Sequence, residues 1–383
     1  MNALPEPALA NWRQHPHNVR GFTEVNRLIA TRPIKAKPGA PAFVPAPATP
    51  LDLATLPVGG RSAGELLTTS HTDGFMVLKD RAVVHESYGP AMGAGIPHII
   101  FSVSKSVTGT LAGVLVARGE LDPEAPVVRY VPELAASGYG DATVRQVLDM
   151  TVSVRFIEDY LDPTGDVARY RVAMDWNPPG DFPYEGGLHH FLGTLPKDFD
   201  LHGERFQYAS PNSDLLGWIL ERAGGATVAE LLTRHLWQPL GAESDGFVTV
   251  DRHGAARTAG GICVTLRDLA RFGDMVRQDG RAGGHEVIPA SWIEDILTGG
   301  SEEAWVKGEM TGLLTRARYR SAWYVPVDVP GTLIAIGIHG QWIYIDRHAG
   351  VTIAKLSSQP LPVDDELDHA MLSMFRAITD RLR

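Results

Sequence analysis

Ile99-Ile100-Phe101-Ser102-Val103-Ser104-Lys105 is the stretch where the chain changes its period. The residues before Ser102 read as an apolar strand end, whereas after it Val107, Leu111, Val114 and Leu115 recur at helical spacing. Gly119 follows as a C-cap and Asp122-Pro123 lies beyond it, so the stretch predicts a buried helix that starts at the serine. Residues three apart on a helix share a face, which brings the Ser102 hydroxyl and the Lys105 amine within hydrogen-bonding reach. The helix N-terminus stabilises negative charge developing at the serine. A lysine rooted in an apolar helix loses hydration, which lowers its pKa and lets it take the Ser102 proton. This is the single S-x-x-K of the sequence. By itself the pattern also fits a solvated helix start; the apolar helix around it is what gives it weight.

Upstream, Gly74-Phe75-Met76-Val77-Leu78-Lys79 and Ala82-Val83-Val84-His85-Glu86-Ser87-Tyr88 flank Asp80-Arg81 and predict a β-hairpin. Downstream, residues 123–250 contain helical stretches at 144–150, 212–223 and 228–237 separated by Gly/Pro-rich loops. Then Gly260-Gly261-Ile262-Cys263-Val264-Thr265 leads into a helix at 266–277, capped by Thr265, with Leu269, Phe272 and Met275 on its inner face. Strands at 322–327, 332–339, 342–346 and 351–356 and a last helix at 366–382 complete the order strands, helices, strands, helix. That order predicts an α+β fold: an antiparallel sheet built from both ends of the chain and flanked by helices, with a mostly helical domain inserted. The expected boundaries are a Pro/Ala-rich wrapping segment at 1–57, an α/β domain at 58–122 and 251–383, and the helical insertion at 123–250. The wrapping segment is assigned no catalytic role.

Two further elements converge on the Ser102 helix. Tyr208-Ala209-Ser210, followed by Asn212, precedes a helix; Tyr208 can relay a proton to the leaving group, and Ser210, a short polar residue two positions on, can hydrogen-bond the lysine. Ile336-Gly337-Ile338-His339-Gly340-Gln341 places glycines in an apolar strand, a pattern that marks close backbone approach, so the N–H of Ile338 can join that of Ser102 as an oxyanion hole. A competing G-x-S-x-G at Gly60-Arg61-Ser62-Ala63-Gly64 lacks the buried strand that a nucleophile elbow needs. His15 and His17 flank Pro16, His189-His190 point to opposite sides of the backbone, and no H-E-x-x-H or Gly-rich phosphate loop occurs, so neither a metal nor a cofactor is expected.

A formal net charge of -10 argues against nucleic acid or an anionic membrane as a partner and favours a small molecule. The first thirteen residues lack the basic and apolar regions of a signal peptide, and no run approaches the ~18 apolar residues of a membrane span. The lone Cys263, read as a small buried hydrophobe, rules out an intramolecular disulfide and suits a reducing compartment, so a cytoplasmic location is expected.

The three elements occur in the order of the penicillin-recognising, serine β-lactamase-like hydrolases, and within them the chain closely resembles the 6-aminohexanoate-dimer hydrolases that degrade nylon oligomers. The likeness is densest at Phe101-Ser102-Val103-Ser104-Lys105-Ser106, Val147-Leu148-Asp149-Met150, Glu158-Asp159-Tyr160-Leu161-Asp162-Pro163, Phe206-Gln207-Tyr208-Ala209-Ser210, Arg267-Asp268-Leu269-Ala270-Arg271 and Gly337-Ile338-His339-Gly340-Gln341. It implies an acyl-enzyme on Ser102, Lys105 as base, Tyr208 as proton donor and the Ser102 and Ile338 amides as oxyanion hole. It also implies a substrate pocket near Tyr160, Ser210, Arg171, Tyr324, His339 and Gly340, with Tyr160 on a loop that closes over the substrate, and a homodimer.

The departures are informative. Ala335-Ile336-Gly337 replaces the Lys-Thr-Gly that would hold a β-lactam carboxylate, and Tyr324 replaces a pocket tryptophan. Arg171 stands where relatives most active on the linear amide carry an acid, so short acyl esters are expected to be better substrates than the nylon dimer unless Asp166 or Asp175 substitutes. A β-lactamase or D-alanyl-D-alanine carboxypeptidase, and a catalytically silent binding module of the same fold, are the alternatives.

Overall fold

The computed structural model describes residues 4–39, 50–180, 182, 186–198 and 201–383. Of the prolines that defined the leader, Pro41, Pro45 and Pro47 lie outside the described residues. The centre of the fold is an antiparallel sheet of seven strands: β1 (Thr72–Lys79), β2 (Ala82–Tyr88), β3 (Ala317–Arg320), β4 (Trp323–Pro326), β5 (Thr332–Gly337), β6 (Gln341–Asp346) and β7 (Val351–Ser357), in the order β3-β4-β5-β6-β7-β1-β2. Both ends of the chain therefore contribute, and they join where β7 pairs with β1 in the register Ile353 to Val77.

Strand alternation decides what covers each face. Met76, Leu78, Ile343, Ile345 and Ala354 point to one side with Leu269, Phe272 and Met275 of a helix at Leu266–Arg277, which Thr265 caps by accepting from the Asp268 N–H. Phe75, Val77, Trp342, Tyr344 and Ile353 point to the other, under Met371, Phe375 and Ile378 of the C-terminal helix Asp365–Leu382, where the Phe75 and Phe375 rings stack. Both faces are covered, which is why the inner strands read as continuous apolar runs.

Helix α1 (Val103–Ala117) is buried along nearly its whole length and packs against α2 (Ser210–Gly224) and the ends of β5 and β6. Gly119 beyond it has φ +72, the left-handed C-cap its position suggested. Within α1, Gly113 lies under the Trp292 ring: a Cβ there would come within 2.3 Å of it. The approach offsets the roughly 0.5–1 kcal/mol that glycine costs in a helix.

Four short strands, Thr31–Ile34, Gly246–Thr249, Ile262–Val264 and His98–Ile99, form a second antiparallel sheet. It ties the leader to the body and carries the chain into Ser102 at one edge. The leader also forms short helices at Asn18–Gly21 and Val25–Leu28, which its proline content hid. Among the strands not expected, β3 is an edge strand, Ala317-Arg318-Tyr319-Arg320, whose arginines bond the carbonyls of Leu297 and Gly299 and the carboxylates of Asp295 and Asp149. Ser62 is a helix cap, accepting from the Glu65 N–H at 3.2 Å while its own N–H donates to the Glu65 carboxylate at 2.7 Å. This capping box accounts for the Gly-x-Ser-x-Gly pattern.

Candidate active site

Ser102 stands at the N-cap of α1, and Phe101 before it has φ +40, a left-handed conformation that turns the chain sharply from strand to helix. The end of β5 lies against this turn. A Cβ on Gly337 would sit 2.7 Å from the Ile100 carbonyl oxygen and 3.1 Å from the Ser102 nitrogen, so only glycine admits the approach. The following residue, Ile338, lines the same cleft as Ser102, which sets the two backbones beside each other.

Lys105, one turn along α1, is 1% exposed. Its Nζ is 2.8 Å from Ser102 Oγ and donates to the Ala259 carbonyl at 2.7 Å. Burial lowers its pKa to about 7; Arg257 pushes the same way, while Glu158 and Asp214 push back. Near neutrality much of the amine is uncharged. With one N–H held by Ala259, its lone pair is available to the Ser102 proton.

Tyr208 closes the other side. Its hydroxyl faces those of Ser102 and Tyr324, and the Lys105 ammonium lies 5.0 Å from its ring centroid. Burial and the charge of Glu158 hold the phenol well above its ordinary pKa, so it stays protonated. Ser102, Lys105 and Tyr208 thus lie together, with Lys105 hydrogen-bonded to Ser102 and its amine against the Tyr208 ring.

The surrounding residues divide. Tyr160 lines the cleft and donates from its hydroxyl to Glu158 at 2.8 Å. Arg171 also lines it and donates to the Tyr160 carbonyl at 3.2 Å, bracing the loop eleven residues upstream. Ser210 lines the cleft but does not reach the lysine: its N–H (2.7 Å) and hydroxyl (2.5 Å) both donate to Glu158, and the lysine takes Ala259 instead.

Tyr324 is buried behind Tyr208, wedged edge-on between Trp305 and Tyr319, and is not part of the cleft wall. His339 and Gly340 also lie outside the wall. They form the β5–β6 turn with φ +60 and +83, which swings the imidazole into the space beside Phe22 and Phe101, with Nδ1 on the Gln359 carbonyl at 2.7 Å. Burial lowers the His339 pKa to about 3, so the ring is a neutral brace. Asp166 is taken up by the Ile157 N–H at 3.0 Å and Asp175 by Arg252, so neither supplies the acid missing at Arg171.

Several site residues were not anticipated. Asp214, on α2, accepts from the Ala259 N–H at 2.7 Å and from Tyr170 and Arg257, and so fixes the carbonyl that holds Lys105. Arg257 is sandwiched over the Tyr170 ring (4.4 Å) and the Trp176 ring (5.3 Å). Arg13 arrives from the leader and donates to the Trp176 carbonyl at 3.1 Å. The Gly260-Gly261 step marked the approach of this segment but not its partners, which lie 43–45 residues away in sequence. Among the described residues no group of three or more His, Cys, Asp or Glu side chains could hold a metal ion, and no helix is long and apolar enough to cross a membrane.

Known proteins resemble this chain in sequence and in fold. The Beta-lactamase family model matches residues 68–375. A 6-aminohexanoate-dimer hydrolase of Paenarthrobacter ureafaciens is 38% identical over 363 residues, covering 94% of this chain and 90% of that protein. The esterase EstB of Burkholderia gladioli is 32% identical over 154 residues, 39% of this chain and 38% of its own. Among solved structures, a Bacillus anthracis chain provisionally named 6-aminohexanoate-dimer hydrolase superposes with a TM-score of 0.88 at 24% identity, covering 98% and 97% of the two chains.

Proposed function

The chain belongs to the Beta-lactamase family and is a serine hydrolase of that family, and from this premise we propose that it cleaves short-acyl esters and linear amides through an acyl-enzyme on Ser102. The observation that carries the reading is Lys105 Nζ at 2.8 Å from Ser102 Oγ, buried and with its pKa lowered to about 7.

In the proposed cycle neutral Lys105 takes the Ser102 proton as Oγ attacks the substrate carbonyl carbon. The oxyanion is received by the Ser102 and Ile338 N–H groups. Tyr208 gives its proton to the leaving oxygen or nitrogen as the C–O or C–N bond breaks, and Lys105 returns a proton to the phenolate. Water then attacks the acyl-enzyme with the same groups in reversed roles, releasing the acid and free Ser102.

Two features shape the substrate range. The strand position of a Lys-Thr-Gly cation is filled by Ala335-Ile336-Gly337, which leaves a β-lactam carboxylate without that partner. Arg171 would repel an ammonium terminus, which supports ester hydrolysis ahead of 6-aminohexanoate-dimer hydrolysis. The family resemblance implies a homodimer, and the single buried Cys263 is in keeping with a reducing, cytoplasmic setting.

The test is hydrolysis of p-nitrophenyl acetate and butyrate by wild type and Ser102→Ala. Turnover by the wild type and its loss in the variant are expected; wild-type rates in the variant would overturn the reading.

A further inference from the structure

The cleft beside Ser102 contains more positive charge than the proposed chemistry needs. Three guanidinium groups line it: Arg13, Arg171 and Arg257. Arg257 is neutralised by Asp214 in a buried ion pair. Arg13 and Arg171 have no carboxylate partner among the described residues. Arg13 donates to the Trp176 carbonyl and Asn177 Oδ1, and Arg171 to the Tyr160 carbonyl, all of them neutral acceptors.

One anion, Glu158, lies in the same wall, held by the Ser210 N–H, the Ser210 hydroxyl and the Tyr160 hydroxyl, and its charge acts on Arg171 without an ion pair forming between them. Asp166 and Asp175 point elsewhere. The two guanidiniums repel each other, and burial together with that repulsion lowers the pKa of Arg13. Against Asp214 and Glu158 the three guanidiniums leave one positive charge uncompensated, and a buried cation without a counter-ion is costly, so Arg13 and Arg171 together offer a place for an anion.

The direction of the cleft says which part of a substrate reaches them. Tyr208, which faces the leaving group in the proposed cycle, is not among its lining residues, whereas Ser102 and Ile338, the oxyanion side, are. The acyl part therefore enters here. Val167, Met174 and Trp176 supply apolar wall for an aliphatic chain.

Resting on the hydrolase reading above, we propose that Arg13 and Arg171 form a carboxylate subsite, and that the preferred acyl group is an ω-carboxyacyl chain, as in a half-ester or half-amide of a linear dicarboxylic acid. Arg171 presents its planar fork to the carboxylate while bracing the Tyr160 loop. The leader thereby takes part in substrate selection through Arg13.

The experiment compares three p-nitrophenyl esters of matched length, with hexanedioyl (carboxylate end), hexanoyl (methyl end) and 6-aminohexanoyl (ammonium end) acyl groups, on wild type, Arg171→Gln and Arg171→Lys. The subsite predicts kcat/KM for the carboxylate ester about tenfold or more above the ammonium ester in the wild type, a ratio that collapses in Arg171→Gln, is largely kept in Arg171→Lys and shrinks with added salt. Hydrolysis of the hexanoyl ester with equal rates for the two charged esters, or with the ammonium ester ahead, overturns the subsite and leaves the hydrolase reading standing. No hydrolysis of any of the three overturns both.

Discussion

The molecule contains two buried lysines that look alike in isolation. Lys105 and Lys355 are both almost fully excluded from solvent, both have pKa values lowered by burial to about 7, and each has its Nζ on a serine hydroxyl, Ser102 and Ser357. Their surroundings differ. Ser102 lines a cleft beside Ile338 at a helix N-terminus, with the Tyr208 hydroxyl facing it. Ser357 is fully buried at the end of β7, and Lys355 also donates to the Gly340 carbonyl, near the charges of Asp73 and Asp368. A low-pKa lysine beside a serine is thus insufficient; access, oxyanion donors and a proton donor for the leaving group separate the candidate active pair from the structural one.

The two lysines differ most in what their serines do. Ser102→Ala should lower kcat for ester hydrolysis by about 10⁴-fold or more, whereas Ser357→Ala should hold kcat/KM within about threefold and instead lower the melting temperature, because it strands a buried ammonium. Equal losses in the two variants would erase the distinction. Tyr208→Phe should cost about 10²-fold on an amide and much less on a p-nitrophenyl ester, whose leaving group departs without a proton.

Asp214→Asn sharpens the same contrast by leaving Arg257 buried and unpaired. A loss of about 3–5 kcal/mol of stability is expected. Because the Asp214 charge raises the Lys105 pKa and Arg257 lowers it, the variant's rate midpoint should move to lower pH. An unchanged midpoint would mean that Asp214 does not act through Lys105.

What could be read from the sequence was what local periodicity carries. Ser102 and Lys105 are three residues apart on one helix, Tyr208 precedes another, and Gly337 interrupts an apolar strand, so each announced itself within a short window. The arrangement of sheet and helices followed from the same periodicities. Edge strand β3 was missed because its arginines, spent on helix-end carbonyls and carboxylates, disguise an alternating pattern.

The network behind the lysine was illegible for a different reason: Asp214, Arg257 and the Ala259 carbonyl meet only after folding. Arg13 lies 163 residues from the carbonyl it bonds. The resemblance put His339 and Gly340 at the pocket, but the positive φ of the turn carries them behind it. Ser210 was assigned to the lysine because Glu158, its actual partner, lies 52 residues upstream.

The smallest effect expected is on the wild-type pH profile, where kcat/KM should rise about tenfold per pH unit below the Lys105 pKa and level off above about pH 7, as the amine loses its proton. Tyr208, held protonated by burial, should impose no fall at mildly alkaline pH.

The most direct measurement combines these points: labelling with a fluorophosphonate at a series of pH values, with the modified residue located by peptide mass spectrometry. One adduct is expected, on Ser102, forming at a rate that rises through pH 7 and is lost in Lys105→Met. An adduct on Ser357 or Ser62, or a rate on Ser102 that is indifferent to pH and to Lys105→Met, would contradict it.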